Sequence, residues 1–247
     1  MRMPLILAVQ LLVASSAGAQ TPDLQNLLQS GQVTVSGQII QYVALITILS
    51  IAPGFLIMVT SFTRFVIAFS FLRSGLGLQS TPANLVLISL SLFLTFFVMA
   101  PVFDSAWIKG LKPYSSGQIS EAEAYERITL PFRDFMTSNV REKDLSLFYD
   151  IARDRGVAIQ DPMGRIDLRI LIPAFMISEL RRGFEIGFLI ALPFLVIDLI
   201  VSLLTMSMGM MMLPPTVISL PFKVLFFVLI DGWNLLIGSL LKSFNLS

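Results

Sequence analysis

Apolar residues are concentrated in four long stretches of the chain, and polar residues fill the segments before and between them. The stretches lie at about 39–62, 85–102, 186–206 and 216–241. Each has at least 18 mostly apolar residues with few or no charges, which is the length that an α-helix needs to cross a bilayer. The pattern predicts an all-α integral membrane protein with two apolar helical hairpins, 39–103 and 184–247.

The segment 104–183 between the hairpins is polar but patterned as helices. Ser120 and Glu123 have the spacing of a capping box, which predicts a helix that begins at Glu121. Pro131 and Pro173 each fit the first position of a further helix, and the second of these helices continues into the third apolar stretch. We therefore expect a folded, polar, helical segment here.

The N-terminal residues are typical of a secretory signal. An apolar run of about ten residues is too short to span a bilayer, and the small residues Ala17 and Ala19 follow it. This pattern predicts that a signal peptide, residues 1–19, is cleaved after Ala19. The mature chain then starts with a segment, 20–38, outside the cytoplasm.

The distribution of charge predicts an orientation in the membrane. The link after the first apolar stretch carries Arg64 and Arg73 and no acidic residue, as expected of a cytoplasmic loop. The second stretch then returns outward, so 104–183 is predicted to be extracytoplasmic. That segment holds 24 of the 33 charged residues.

Composition excludes several classes of function. The chain has 247 residues, 55% of them hydrophobic and 13% charged, and a mean hydropathy of +0.81. A net charge of +1 gives no basis for nucleic-acid binding. Cysteine and histidine are absent, which removes thiol nucleophiles, imidazole catalysis and Cys/His zinc sites. With no nucleotide loop or nucleophile–base pair either, we predict no enzyme, no metal and no cofactor.

Five of the twelve methionines occur within seven positions, where the last two apolar stretches are separated. Irregular backbone at membrane depth is tolerated only inside protein or along a cavity, and methionine side chains adapt readily to neighbours. These side chains either fill an irregular core or, in an oligomer that encloses a pore, seal it. The candidate residues are Met206, Gly209, Met210, Met211, Met212, Pro214 and Pro215.

Two charges occupy the last two apolar stretches at similar distances from the methionine-rich break. An antiparallel hairpin would bring Asp198 and Lys223 to the same depth, where a buried charge needs a partner. Asp231 is a third candidate for a buried charge. The alternative role for the pair is a proton relay in an ion-coupled small-solute transporter.

Other charges have ordinary structural interpretations. Arg64 lies where a span meets the cytoplasm, and its predicted role is to extend its charge to the membrane interface. Glu179 can meet Arg182, and Arg181 can meet Glu185, because these pairs are three and four residues apart on one helix.

Several separate motifs from about residue 40 onward resemble the FliP/SctR family of type III secretion export-gate proteins. The motifs are, in chain order, Thr60-Ser61-Phe62-Thr63-Arg64, the run 92–102, Pro173-Ala174-Phe175, Ser178-Glu179-Leu180, Ile197-Asp198-Leu199, Gly209-Met210-Met211-Met212, Pro214-Pro215, Leu220-Pro221-Phe222-Lys223 and Asp231-Gly232-Trp233.

This resemblance implies a subunit of the flagellar export gate in the bacterial inner membrane, at the basal body, with parts facing the periplasm. Members form a homo-pentameric helical ring that is completed by FliR and FliQ, with FlhB and FlhA nearby, and that conducts unfolded flagellar proteins. The family's methionine gasket corresponds to Met210, Met211 and Met212, with Met206 adjacent. Much of the assembled ring lies at or above the outer face of the membrane, so the four-span topology, with its lipid contacts, applies to the newly made chain.

Overall fold

The structure of the chain is a computed structural model that describes residues 35–78, 82–156, 165–209 and 214–244. Every regular element in these ranges is helical, which confirms the all-α prediction. The predicted signal peptide lies outside the described residues. The helices are α1 (Val35–Val59), α2 (Phe62–Gly75), α3 (Asn84–Ala106), a π-helical turn (Trp107–Leu111), α4 (Lys112–Ser115), α5 (Glu121–Asn139), α6 (Glu142–Asp154), α7 (Leu168–Ser207), α8 (Pro215–Leu229) and α9 (Gly232–Lys242).

The chain divides into two compact units, Met1–Pro53 and Gly54–Ser247. The first unit is described from Val35 and consists there of the larger part of α1. The second unit holds the remaining helices, and its hydrophobic core is centred on α2 and α7. The largest fully buried apolar side chains of this core are Phe65, Phe69, Phe175 and Phe194.

Among the described residues, three helical stretches are long and apolar enough to cross a membrane: Tyr42–Val59, Asn84–Ser115 and Leu168–Ser207. The pair α8 and α9 passes the same test together, although it bends by 63°. The structure thus agrees with the prediction of a helical membrane protein, and it reaches the four predicted spans if the bent pair counts as one.

Two prolines predicted to begin helices lie inside them instead. Helix α5 passes through Pro131, and α7 begins at Leu168, five residues before Pro173. The start of α7 is set by Asp167, whose carboxylate accepts a bond from the backbone N–H of Arg169. The Arg169 guanidinium also donates to this carboxylate and lowers the pKa of Asp167. Capping satisfies free N–H groups at a helix start, so the cap decides where the helix begins. Each internal proline then costs one backbone hydrogen bond and crowds the carbonyl four residues before it, and the helix continues through it in spite of this cost.

The last apolar stretch, predicted as one continuous segment, is broken between α8 and α9. Asp231 at the break has φ 50° and ψ 52°, a left-handed conformation. The next residue must be glycine, since a Cβ on Gly232 would lie 2.1 Å from the ring of Phe227. The prediction that Asp231 is a buried charge is wrong, because the bend places its side chain at the surface.

Helices α2 and α7 pack unusually closely because small residues recur at every fourth position. A Cβ on Gly183 would lie 3.0 Å from the Cβ of Ile67, and one on Gly187 would lie 2.6 Å from the Cβ of Phe71. The third contact is between Gly75 and Ala191. Each contact advances four residues along both helices, so the helices run in the same direction. Small residues at this spacing are the usual means of close helix packing in membranes.

We expect Gly187→Ala to destabilise the protein, because the new methyl group would collide with a Cβ that cannot move without shifting α2. Overpacking of this kind costs about 1–3 kcal/mol. The measurement is thermal unfolding of the purified chain in mild detergent. Gly238→Ala is the matched control, since no heavy atom lies within 4 Å of its added Cβ. An equal melting temperature for both variants would contradict the packing argument.

Candidate functional site

Arg64 is fully buried and forms a two-pronged ion pair with Glu179, which is also fully buried. Its Nε donates to Glu179 Oε2 at 2.8 Å, and its Nη2 donates to Glu179 Oε1. The prediction that Arg64 extends to the membrane interface is therefore wrong. The register of α2 against α7 brings Glu179 opposite Arg64, and a buried guanidinium is retained only where such a partner is present.

The Arg64 side chain also holds the C-terminal end of α9. Its Nη1 donates to the carbonyl oxygen of Ser243 at 2.9 Å and to the Ser243 hydroxyl at 2.7 Å. The guanidinium carbon lies 3.6 Å from the ring centroid of Phe244, in cation–π geometry. One side chain thus connects α2, α7 and the residues that follow α9.

Of the two ion pairs predicted within α7, one is present and the other is not. Both carboxylate oxygens of Glu179 accept hydrogen bonds from Arg64, so the predicted pair of Glu179 with Arg182 is replaced by one across helices. The pair of Arg181 with Glu185 is present at 2.7 Å and exposed. The sequence contained no signal for the Arg64 pair, because its members are 115 residues apart.

The structure brings Asp198 and Lys223 together between the antiparallel helices α7 and α8. Lys223 Nζ lies 2.5 Å from Asp198 Oδ2 and 3.1 Å from the carbonyl oxygen of Gly75. The hydroxyl of Ser219 donates to the other carboxylate oxygen at 2.5 Å. Sequence reasoning missed Ser219, although it precedes Lys223 by four residues and so shares a helix face with it. Both oxygens of Asp198 are thus occupied, and Lys223 is 3% exposed.

A second polar link missed from the sequence joins α6 to α7. The hydroxyl of Ser178 donates to Asp144 Oδ2 at 2.7 Å and accepts a bond from the backbone N–H of Arg141 at 3.1 Å. Within the part of the chain that the structure describes, no three His, Cys, Asp or Glu side chains are grouped so that they could hold a metal ion. The Ser178 contacts fix the start of α6 against α7.

The methionine-rich break begins at the end of α7. Gly209 has φ +71°, Pro214 precedes the first residue of α8, and Pro215 occupies that first position. Met210, Met211 and Met212 lie outside the described residues. Met206 and Met208 are 61% and 72% exposed, so neither of them fills a core within the single chain.

An apolar groove of about 490 Å³ lies beside the break. It is lined by both helices of the α7–α8 hairpin and has no polar surface. Its lining residues are Ile197, Ile200, Val201, Leu204, Thr205, Met208, Ile218 and Phe222.

Removing one partner of the Arg64 pair should be severely destabilising. Arg64→Met leaves the Glu179 carboxylate buried and unpaired, which costs about 3–5 kcal/mol. Replacing both residues, as Arg64→Met with Glu179→Leu, should recover much of the melting temperature in mild detergent, because no charge then remains buried. Arg181→Met, which breaks an exposed pair, should change stability by less than about 1 kcal/mol. The interpretation fails if the double variant is no more stable than Arg64→Met.

The Asp198 pair can be tested by exchanging its charges. Asp198→Ala should lower the yield of assembled protein, since Lys223 would keep a buried charge without a partner. Asp198→Lys combined with Lys223→Asp should restore part of that yield, measured by size-exclusion chromatography of membrane extracts. Intact assembly of each single variant, or an exchange no better than either alone, would contradict the role of the pair.

Comparison with known proteins identifies the family. A sequence model of the FliP family matches residues 45–240 of this chain. A protein named flagellar biosynthetic protein FliP from Agrobacterium fabrum is 61% identical over 242 residues, covering 97% of each chain. Proteins of the same name from Rhizobium meliloti and Bacillus subtilis are 58% and 48% identical, covering 99% and 89% of this chain and 99% and 98% of their own. The resemblance inferred from the motifs is thereby confirmed, and the chain belongs to the FliP family.

Proposed function

We propose that this chain is a core subunit of the flagellar type III secretion export gate, which with FliR and FliQ forms the closed channel for unfolded flagellar proteins. The observation that carries the proposal is identity of 61% to a flagellar biosynthetic protein FliP over nearly the whole chain. Family membership makes the chain a component of the flagellar export apparatus, and the family is structural, so the chain is not an enzyme.

The gate requires several copies of the chain. Three or four spans are too few to enclose a pore, so a ring must supply the wall, and we propose a homo-pentamer. The large exposed apolar surfaces of α3, α7 and α8 support such an assembly, because they need cover from lipid or from other subunits. FlhB and FlhA are the proposed further neighbours at the basal body.

The methionines at the α7–α8 break are the proposed seal of the channel. Met206 is exposed at the end of α7, and Met210, Met211 and Met212 follow in the break. Flexible apolar side chains repeated around a ring would exclude water and ions, yet would yield to a passing polypeptide.

The long apolar helices fit an inner-membrane location. We propose that the polar helices α5 and α6 face the periplasm, as the position of Arg73 and the resemblance to the FliP family imply. Arg64 gives no support to this orientation, because it is buried in an ion pair. The alternative of an ion-coupled transporter is less well supported, because both oxygens of Asp198 are already bonded and the chain has no histidine to relay protons.

Replacing Met210, Met211 and Met212 together with Ala should open the closed gate to small ions, because the seal is removed without adding charge. The measurement is ion conductance, or growth sensitivity to small toxic solutes, in cells that make the intact gate. The yield of the complex with FliR and FliQ is measured in parallel, since a collapsed complex would also fail to export.

The matched control replaces the same three methionines with Leu. This change keeps volume and apolar character, and swaps of this kind usually cost less than about 1.5 kcal/mol each. The control should therefore stay closed. Normal impermeability of the fully assembled Ala variant would show that the seal lies elsewhere.

A further inference from the structure

An open cleft of about 780 Å³ lies between the C-terminal end of α2 and the α7–α8 hairpin. Polar groups from all three helices line it, and none of them has a role in the proposed seal. The lining includes Arg73, Ser74, Asp198, Thr216 and Lys223.

The charges in this cleft do not balance. Lys223 and Asp198 neutralise each other at 2.5 Å, and Ser219 occupies the remaining oxygen of Asp198. Arg73 donates one N–H to the side-chain oxygen of Asn84. Among the residues that the structure describes, Arg73 has no carboxylate within ion-pair distance, so the cleft carries one uncompensated cation. A guanidinium has five N–H donors in a fixed fork that matches phosphate oxygens.

Arg73 lies beside the start of the long apolar helix α3, because its bonding partner is Asn84. Asn84 is the first residue of the apolar stretch Asn84–Ser115, which is long enough to cross the bilayer.

An apolar cleft of about 170 Å³ adjoins the polar one and shares Arg73 with it. Its other walls include Leu76, Leu87, Phe227 and Trp233, and its surface is almost entirely apolar. A ligand that filled both clefts would need an anionic group attached to a hydrocarbon chain.

We infer that the two clefts bind one anionic phospholipid, with its phosphate held by Arg73 beside the Lys223–Asp198 pair and an acyl chain against Phe227 and Trp233. Basic pockets between membrane helices are the usual sites for anionic headgroups. The site is independent of the proposed export function, because it needs only the contacts within one chain.

The test uses the full-length chain in mild detergent and follows thermal unfolding by tryptophan fluorescence. Dioleoylphosphatidylglycerol should raise the melting temperature in a saturable manner. Dioleoylphosphatidylcholine has the same acyl chains with no net charge and should have little effect. Inorganic phosphate should have little effect as well, since it lacks the acyl chain.

Ser74 provides a variant that leaves the fold intact, because its side chain is exposed at the cleft. Ser74→Glu should weaken the apparent affinity for phosphatidylglycerol, since its carboxylate repels the phosphate and competes for Arg73. Ser74→Gln has nearly the same size without the charge and should bind as the parent chain does.

Arg73→Gln should weaken binding about tenfold or more, the usual effect of losing a charge-assisted hydrogen bond. Its control is Asn84→Ala, which removes the same bond between the two residues but keeps the cation, and which should retain lipid binding.

Three results would overturn the inference. An equal response to both lipids would exclude recognition of the headgroup. Stabilisation by inorganic phosphate alone, at the same concentrations, would indicate a site for free anions. Unchanged affinity of both Arg73→Gln and Ser74→Glu would place the lipid elsewhere.

Discussion

The close contact between α2 and α7 is the constraint on which the other features of the second unit depend. Small residues at every fourth position of α7, Gly183, Gly187 and Ala191, let the two apolar helices approach closely. Because the contact occurs three times over about two turns, it fixes the register between the helices. That register puts Arg64 opposite Glu179 at one end and the carbonyl of Gly75 near Lys223 at the other. A shift of one residue would separate both pairs.

The buried charges contribute more to register than to stability. Transferring an ion pair from water into the protein interior costs about as much free energy as the attraction between the two charges provides. A buried charge without a partner, in contrast, is strongly unfavourable. Arg64 therefore disfavours every arrangement in which Glu179 is not opposite it. The same holds for Lys223 with Asp198 in the α7–α8 hairpin. We infer that the two pairs select this packing of apolar helices, which would otherwise slide past one another at little cost.

The helix break after Ser207 lies in a hairpin whose two helices are fixed to each other and to α2 by polar contacts. Asp198, Ser219 and Lys223 connect α7 to α8 within the hairpin, and Gly75 connects Lys223 to α2. The two helix ends that flank the break, Ser207 of α7 and Pro215 of α8, are thus held by these contacts. A flexible seal on a rigid support is what the proposed gate needs, because the side chains must move while the wall remains in place.

The sequence by itself determined the helical class, the membrane character, the Asp198–Lys223 pair and the family, since these follow from composition, local periodicity and motifs. It did not determine the partner of Arg64, the continuation of α5 and α7 through Pro131 and Pro173, or the bend that exposes Asp231. These features depend on tertiary structure. Glu179 is distant from Arg64 in sequence and meets it only through helix packing. The cap at Asp167, and not Pro173, decides where α7 begins. At the bend, the ring of Phe227 fills the space beside Gly232.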